Sequence, residues 1–341
     1  MKRFLCWLLP VCMLLGGCGG KSQPELSRYN ATFLTLFDTV TTVVGYAESE
    51  EQFTQVAQSI HDELLTYHQL FDIYNDYEGV VNLKAVNDRA GREPVAVGEE
   101  VFALLRDCKA FWEATGGKVN AAMGSVLHLW HVARNDGFND PSRAYLPDSE
   151  ALAEASGHTD FNRVILDEEN RTVFFQDPGI RLDVGAIAKG WSVQKVCEKA
   201  PSGLLISVGG NVFATGPKNA EGDPWVVGVQ DPNGGESYLH TLTVTEGSVV
   251  TSGDYQRAYV VDGELYHHII DPDTLYPSRY WRSVTIVVAD SGIGDMLSTA
   301  LFVLPQEEGQ RLLERYGAEA MWVDQAGEQF YSPGFQKLIR T

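Results

Sequence analysis

Leu182-Asp183-Val184-Gly185-Ala186-Ile187-Ala188-Lys189-Gly190 reads as the end of a strand, an acid, a glycine that permits a turn, and the start of a helix. Apolar spacing carries that helix from about Gly185 to Ala200. A strand passing directly into a helix belongs to a chain that mixes both elements. Just upstream, Val164-Ile165-Leu166 and Thr172-Val173-Phe174-Phe175, joined by Asp167-Glu168-Glu169-Asn170-Arg171, read as a hairpin. Downstream, strand signals dominate at Leu204–Val208, Trp225–Val229, His240–Thr245, Ser248–Thr251 and Val284–Val288, followed by a helix starting near Asp295 and a last hairpin around Met321 to Tyr331. Toward the N-terminus, Ala31 to Tyr46 is rich in β-branched and aromatic residues and predicts a strand pair or one long strand. Phe53, Val56, Ile60, Leu64 and Tyr67 predict a helix, and Val101, Leu104, Leu105 and Cys108 predict another that stops at Gly116-Gly117. The polar stretch from Asn135 to Gly157 reads as loop. The pattern is α+β: mixed sheets with packed helices, forming a single two-lobed unit over residues 31–341.

Composition bounds the function. The chain has 341 residues, 44% hydrophobic and 21% charged, the balance of a globular protein with a large core. Lys+Arg of 26 against Asp+Glu of 46 gives a formal charge of −20, which argues against a broad grip on phosphate backbones, so no nucleic-acid partner is expected. Lys2 and Arg3 precede an apolar run from Phe4 to Leu15, broken by Pro10. That run is about a dozen residues where a spanning helix needs roughly 20, so residues 1–17 read as a signal peptide. Leu15-Gly16-Gly17-Cys18 resembles the bacterial lipoprotein signal, which predicts lipidation of Cys18, a tether over residues 18–30, and a place on the extracytoplasmic face of the cell membrane. The mature chain would carry 24 Lys+Arg against 46 Asp+Glu, a charge of −22. Of the remaining cysteines, Cys108 and Cys197 fall on apolar helical faces and read as core thiols, with a disulfide between them left open.

Four glycine-punctuated segments carry chemistry. Leu182–Gly190 puts an acid and a lysine at a helix start, which favours anions; read alone, the acid is a cap. Ser207-Val208-Gly209-Gly210-Asn211 takes a strand into a double glycine. Thr251-Ser252-Gly253-Asp254-Tyr255 leads into His267-His268-Ile269-Ile270-Asp271-Pro272, where histidine and aspartate can bind a metal or move a proton. In Gly294-Asp295-Met296-Leu297-Ser298-Thr299, Asp295 and Thr299 share a helix face with Ser298 beside them, an all-oxygen set that suits Mg²⁺.

In this order, LDVGAIAKG, SVGGN, PWVVGVQDP, TSGDY, HHIIDP and DMLSTALFVL, preceded by LFDIYNDYEGVVNLKAVN and GKVNAAMGSVLHLW, resemble the ApbE-like FAD:protein FMN transferases, many of them lipoproteins, over roughly residues 35–305. The resemblance implies Mg²⁺-dependent cleavage of the FAD pyrophosphate, attachment of FMN to a Thr or Ser hydroxyl of a partner protein, and release of AMP. It implies Mg²⁺ on the Ala186 carbonyl, Asp295, Thr299 and Ser298. Flavin contacts are implied at Phe37, Tyr74, Lys118, Val119, Asn120, Asp183, Lys189 and Ile269. His268 is implied as general base, with Asp295 also catalytic. The implied partner is an acceptor flavoprotein subunit of a membrane or extracytoplasmic electron-transfer system. Three residues depart from the family pattern. Asn120 replaces a common Asp, Phe37 a common Met, and Leu275 a common glycine, so the backbone at Leu275 is expected to differ. Two other activities fit the same motifs: an FAD pyrophosphatase giving FMN and AMP, and a non-catalytic flavin-binding lipoprotein.

Overall fold

A computed structural model describes residues 26–235 and 237–340; the expected signal segment, the lipidation site Cys18 and the tether up to residue 25 lie outside these. Eight antiparallel strands form the central sheet: Ser27–Leu36, Thr39–Ala47, Leu204–Val208, Asn211–Thr215, Glu246–Gly253, Ser283–Val288, Glu319–Val323 and Gln329–Tyr331, side by side in that order. The expected strand pair is therefore a hairpin, and its first strand begins inside the stretch read as tether. Phe37 and Asp38 turn it, both at φ 52°, the paired left-handed conformation of a tight hairpin.

Side chains alternate across the sheet. Val284, Ile286 and Val288 face Met296, Leu297 and Leu301 of the helix Ser291–Phe302, while Val249, Met321 and Val323 pack on the opposite side against Trp225, Val227 and Leu242. Those last three belong to a separate two-stranded ribbon, Trp225–Gln230 with Tyr238–Val244. Helices Glu50–Phe71, Ala188–Cys197 and Ser291–Phe302 cover one face, and the ribbon covers the other. Beyond the helical layer stand the helix Gly124–Asn139 and the short hairpin Tyr259–Val261 with Glu264–Tyr266, joined by a cluster that includes Val126, Trp130 and Tyr259.

Four expectations need correction. Residues 182–187 form a turn, with Arg181 making only an isolated bridge to Met123, and the helix begins at Ala188. The helix expected near Asp295 begins at Ser291, capped by Asp290, whose carboxylate accepts from the Ile293 N–H at 2.9 Å. The stretch read as loop holds the end of the Gly124–Asn139 helix and a further helix, Ser149–Ser156. The disulfide left open does not form: Cys108 and Cys197 are both free and buried.

Candidate active site

A cleft of about 800 Å³ opens between the Phe37-Asp38 hairpin tip, the Gly124–Asn139 helix, the 183–189 turn, the 251–257 and 267–270 segments, and Asp295 and Thr299 of the Ser291–Phe302 helix. Its size suits a nucleotide-sized ligand. Every site residue expected from the sequence within the described region lies on its wall except Ser298.

The oxygen-rich end is built where two helices touch. Gly190 allows this contact, because a Cβ there would collide with the Ser291 carbonyl and stand 2.5 Å from the Asp295 Cβ. The Gly190 N–H donates to Asp295 Oδ2 at 2.8 Å, and the Lys189 ammonium stands 3.3 Å from Oδ1. Asp295 is 3% exposed, and its carboxylate faces the cleft with Thr299, one helical turn on. Ser298 is not on the wall. It is fully buried, donates to the Asp295 carbonyl at 2.9 Å and shares a 2.8 Å hydrogen bond with Ser252, so it braces Asp295 from behind the wall.

The 183–189 turn closes on itself. Asp183 Oδ1 accepts from the Gly185 N–H at 2.9 Å, and Lys189 donates to the Gly185 carbonyl at 3.4 Å, which leaves Ala186 on the cleft wall. The turn is also pinned from outside, as the Asp183 N–H donates to the Ala121 carbonyl at 2.8 Å.

The two adjacent histidines have different roles. His267 Nε2 donates to the Ser278 carbonyl at 2.8 Å and Nδ1 accepts from the Ile269 N–H at 3.2 Å, so both ring nitrogens are occupied. Burial pushes its pKa down to about 4. His268 Nδ1 donates to the Gln256 carbonyl at 3.1 Å, which leaves Nε2 with the free lone pair. Enclosure by protein, followed by the nearby Arg257 guanidinium, pushes its pKa below the ordinary imidazole value, so the ring is neutral at pH 7.

Other expected flavin contacts are held by protein. The Lys118 ammonium bridges Asp273 at 2.6 Å and the buried Asp271 at 3.4 Å, tying the 116–120 loop to the histidine segment and setting Val119 and Ile269 on the wall. Both ends of the Asn120 amide are used: Nδ2 donates to the Thr159 carbonyl at 2.8 Å and Oδ1 accepts from Ala122 at 2.9 Å. Tyr74 stacks on His131 with centroids 5.0 Å apart, and partial desolvation against the cleft wall raises its pKa. Phe37 meets His68 edge-on at 5.6 Å. The Leu275 backbone departs from expectation. It has φ +63°, the left-handed conformation that a glycine favours.

Sequence reasoning missed the cations of the outer cleft. Arg134 reaches His131 Nδ1 at 2.9 Å and Arg257 donates to the Phe37 carbonyl at 3.3 Å. Neither has an acidic partner among the described residues. The spacing Trp130, His131, Arg134, Phe138 on one helix face was the available signal.

The sequence matches the model of the ApbE family over residues 37–322. An FAD:protein FMN transferase of Treponema pallidum is 34% identical, the alignment covering 92% of this chain and 89% of that protein. One from Klebsiella pneumoniae is 35% identical, covering 77% and 83%. Among solved structures, the ApbE protein of Thermotoga maritima is similar with a TM-score of 0.81 and 31% identity, covering 92% of this chain and 100% of that one. The flavin transferase ApbE from Vibrio cholerae has a TM-score of 0.75 at 20% identity, a likeness of fold.

Proposed function

Because the chain belongs to the ApbE family, we propose that it is a Mg²⁺-dependent FAD:protein FMN transferase, moving FMN from FAD to a Thr or Ser hydroxyl of a partner protein and releasing AMP. The observation that carries this reading is that Asp295, Thr299, Lys189 and His268 open into one cleft large enough for a dinucleotide.

The donor set fits Mg²⁺. One buried carboxylate, a threonine hydroxyl one helical turn away and the Ala186 carbonyl are hard oxygens, and Mg²⁺ is commonly held by one or two carboxylates together with substrate phosphates. Asp295, Thr299 and Ala186 would hold it, with Ser298 bracing Asp295. Bound there, Mg²⁺ would neutralise charge on the pyrophosphate. The Lys189 ammonium and the N-terminus of the Ala188–Cys197 helix add positive potential at the same place. His268 Nε2 takes the proton from the acceptor hydroxyl. The hydroxyl oxygen bonds to the FMN phosphorus, the bond from that phosphorus to the bridging oxygen breaks, and AMP departs. The outer cleft, with Arg134 and Arg257, is left for the remainder of FAD and the acceptor segment.

The test incubates the chain beginning after Cys18 with FAD, Mg²⁺ and a candidate acceptor domain, then weighs the acceptor intact and assays AMP. The expected result is a gain of one FMN, abolished when the acceptor Thr is replaced. Asp295→Ala should lower AMP release by about 10²-fold or more. AMP with free FMN and an unmodified acceptor would make the protein a pyrophosphatase, and no AMP at all would make it a flavin-binding protein. Unchanged turnover in Asp295→Ala would sink the metal assignment.

We also place the mature chain on the extracytoplasmic membrane face, anchored through Cys18, where flavin-carrying subunits of electron-transfer systems are its acceptors. Among the described residues no helix is long and apolar enough to cross a membrane. Cys18→Ala should move the protein from the membrane fraction to the soluble one; a variant that still sediments with membranes would refute the anchor.

A further inference from the structure

The strand Glu246–Gly253 ends in a tight turn that returns to the cleft. Asp254 opens it. It is buried, its N–H donates to the Arg282 carbonyl at 2.8 Å, and its Oδ2 accepts from Arg282 Nε at 3.3 Å. Two residues later, Gln256 supplies the carbonyl that accepts from His268 Nδ1. Arg257 follows at φ +47° and ties the turn to the Phe37 carbonyl.

Arg282 connects three parts of the molecule. Its own N–H donates to the Val323 carbonyl at 2.8 Å, which fixes it to the central sheet. The guanidinium then spreads, with Nε on Asp254, one terminal nitrogen on the Asn233 side chain and the other on the Pro232 carbonyl at 3.1 Å. Asn233 and Pro232 belong to the loop after the PWVVGVQDP strand, a motif with no residue in the cleft wall. The fork geometry of arginine holds all three partners at once, which a lysine could not do.

Stability alone is a poor explanation for this pair. Asp254 Oδ1 is buried with no hydrogen-bond partner among the described residues, and a buried ion pair with an unsatisfied oxygen is generally matched or bettered by apolar residues of the same volume. The pair does give rigidity between the sheet, the 231–235 loop and the turn beneath His268.

We propose that Asp254 and Arg282 are positioning residues for His268, acting through the Gln256 carbonyl to hold the ring with Nδ1 protonated and Nε2 free toward the cleft. This rests on the transferase reading of His268, so its test includes a measurement that needs no substrate.

Nitrogen-15 NMR of histidine-labelled protein, with His268→Gln identifying the resonance, reads the tautomer directly. The wild type should show the Nδ1-protonated neutral ring at pH 7.5. In Asp254→Asn, which keeps the side-chain volume, the signal should move to a mixture of tautomers. The kcat for FMN transfer should fall about tenfold or more, as for misplaced catalytic groups, while FAD affinity stays within about threefold. Arg282→Lys, which keeps a cation beside Asp254 but loses the fork, should shift both readouts in the same direction and carries the test if Asp254→Asn folds poorly. A His268 ring that stays Nδ1-protonated in both variants overturns the proposal, as does a parallel loss of FAD affinity and kcat with the tautomer unchanged. If the wild type transfers no FMN and the tautomer still shifts, the positioning stands and the transferase reading falls.

Discussion

Leu275 holds φ +63° in the turn after His268, where its N–H donates to the Asp271 carbonyl at 2.8 Å and its own carbonyl accepts from Trp130 Nε1 at 2.8 Å. A left-handed conformation costs an L-residue roughly 1–2 kcal/mol, and something must offset it. The leucine side chain packs against the cluster of Met123, Val126 and Trp130, so apolar contact replaces the freedom that glycine would have supplied. Two substitutions separate the terms. Leu275→Gly relieves the strain but loses the packing and loosens the unfolded chain, so its stability should lie within about 1 kcal/mol of the parent. Leu275→Val keeps an apolar group but branches at Cβ beside a backbone that resists it, and should cost about 2 kcal/mol. Urea unfolding of the three proteins checks the order; a valine variant as stable as the glycine variant would mean that the turn is not left-handed.

At the scale of elements, most strands of the central sheet were legible from their β-branched and apolar runs, and Leu204–Val208 has the bounds its sequence predicts, whereas the strand Asn211–Thr215, which follows the double glycine, was missed. The failures have local causes. Leu182 reads as a strand end because its backbone is paired as in one, but the partner is a side chain: the Asn87 amide accepts from the Leu182 N–H at 2.8 Å and donates to its carbonyl at 3.0 Å. No periodicity announces a pairing across 95 residues of sequence. The Ser291–Phe302 helix hides its first turn in Ser291-Gly292-Ile293-Gly294, two glycines that are poor helix formers; the second of them sits close against Val250. The Gly124–Asn139 helix was lost because the face it turns to the cleft carries His131, Arg134 and Asn135, which blur the apolar stripe that marks a helix. The candidate site was legible where its residues fall in glycine-punctuated runs, as with Asp183, Lys189, His268 and Asp295. Arg134 and Arg257 stand outside such runs, and only the fold brings them to the cleft; Asp254 lies within TSGDY, but its pairing with Arg282 is not visible in the sequence.

For the whole molecule, a formal charge of −20 is repulsive to a phosphorylated substrate and to itself. Screening confines the first effect, since the Debye length is about 8 Å at physiological salt, and on the cleft wall Lys118, Lys189, Arg134 and Arg257 offset Asp38, Asp72, Asp183 and Asp295. The second effect should ease as acidification protonates carboxylates, yet the buried His267 and the half-buried His268 act in the opposite direction. His267, 4% exposed and neutral, has its pKa pushed to about 4 from an ordinary value of 6.5. The unfolded chain therefore binds the proton first. The stability this group contributes is fully present above pH 6.5, declines as pH falls below it, and is lost by about pH 4, a change of about 3 kcal/mol. His268 shifts in the same direction and adds to the loss. His267→Gln keeps a donor and an acceptor for Ser278 and Ile269 but cannot titrate. Unfolding free energies of the two proteins measured from pH 7.5 to 4.5 should converge as the wild type loses more, the carboxylate contribution cancelling in the difference. Parallel curves would mean that His267 takes up its proton at the same pH in the folded and unfolded protein, and that its burial and its hydrogen bonds to Ser278 and Ile269 are not those described.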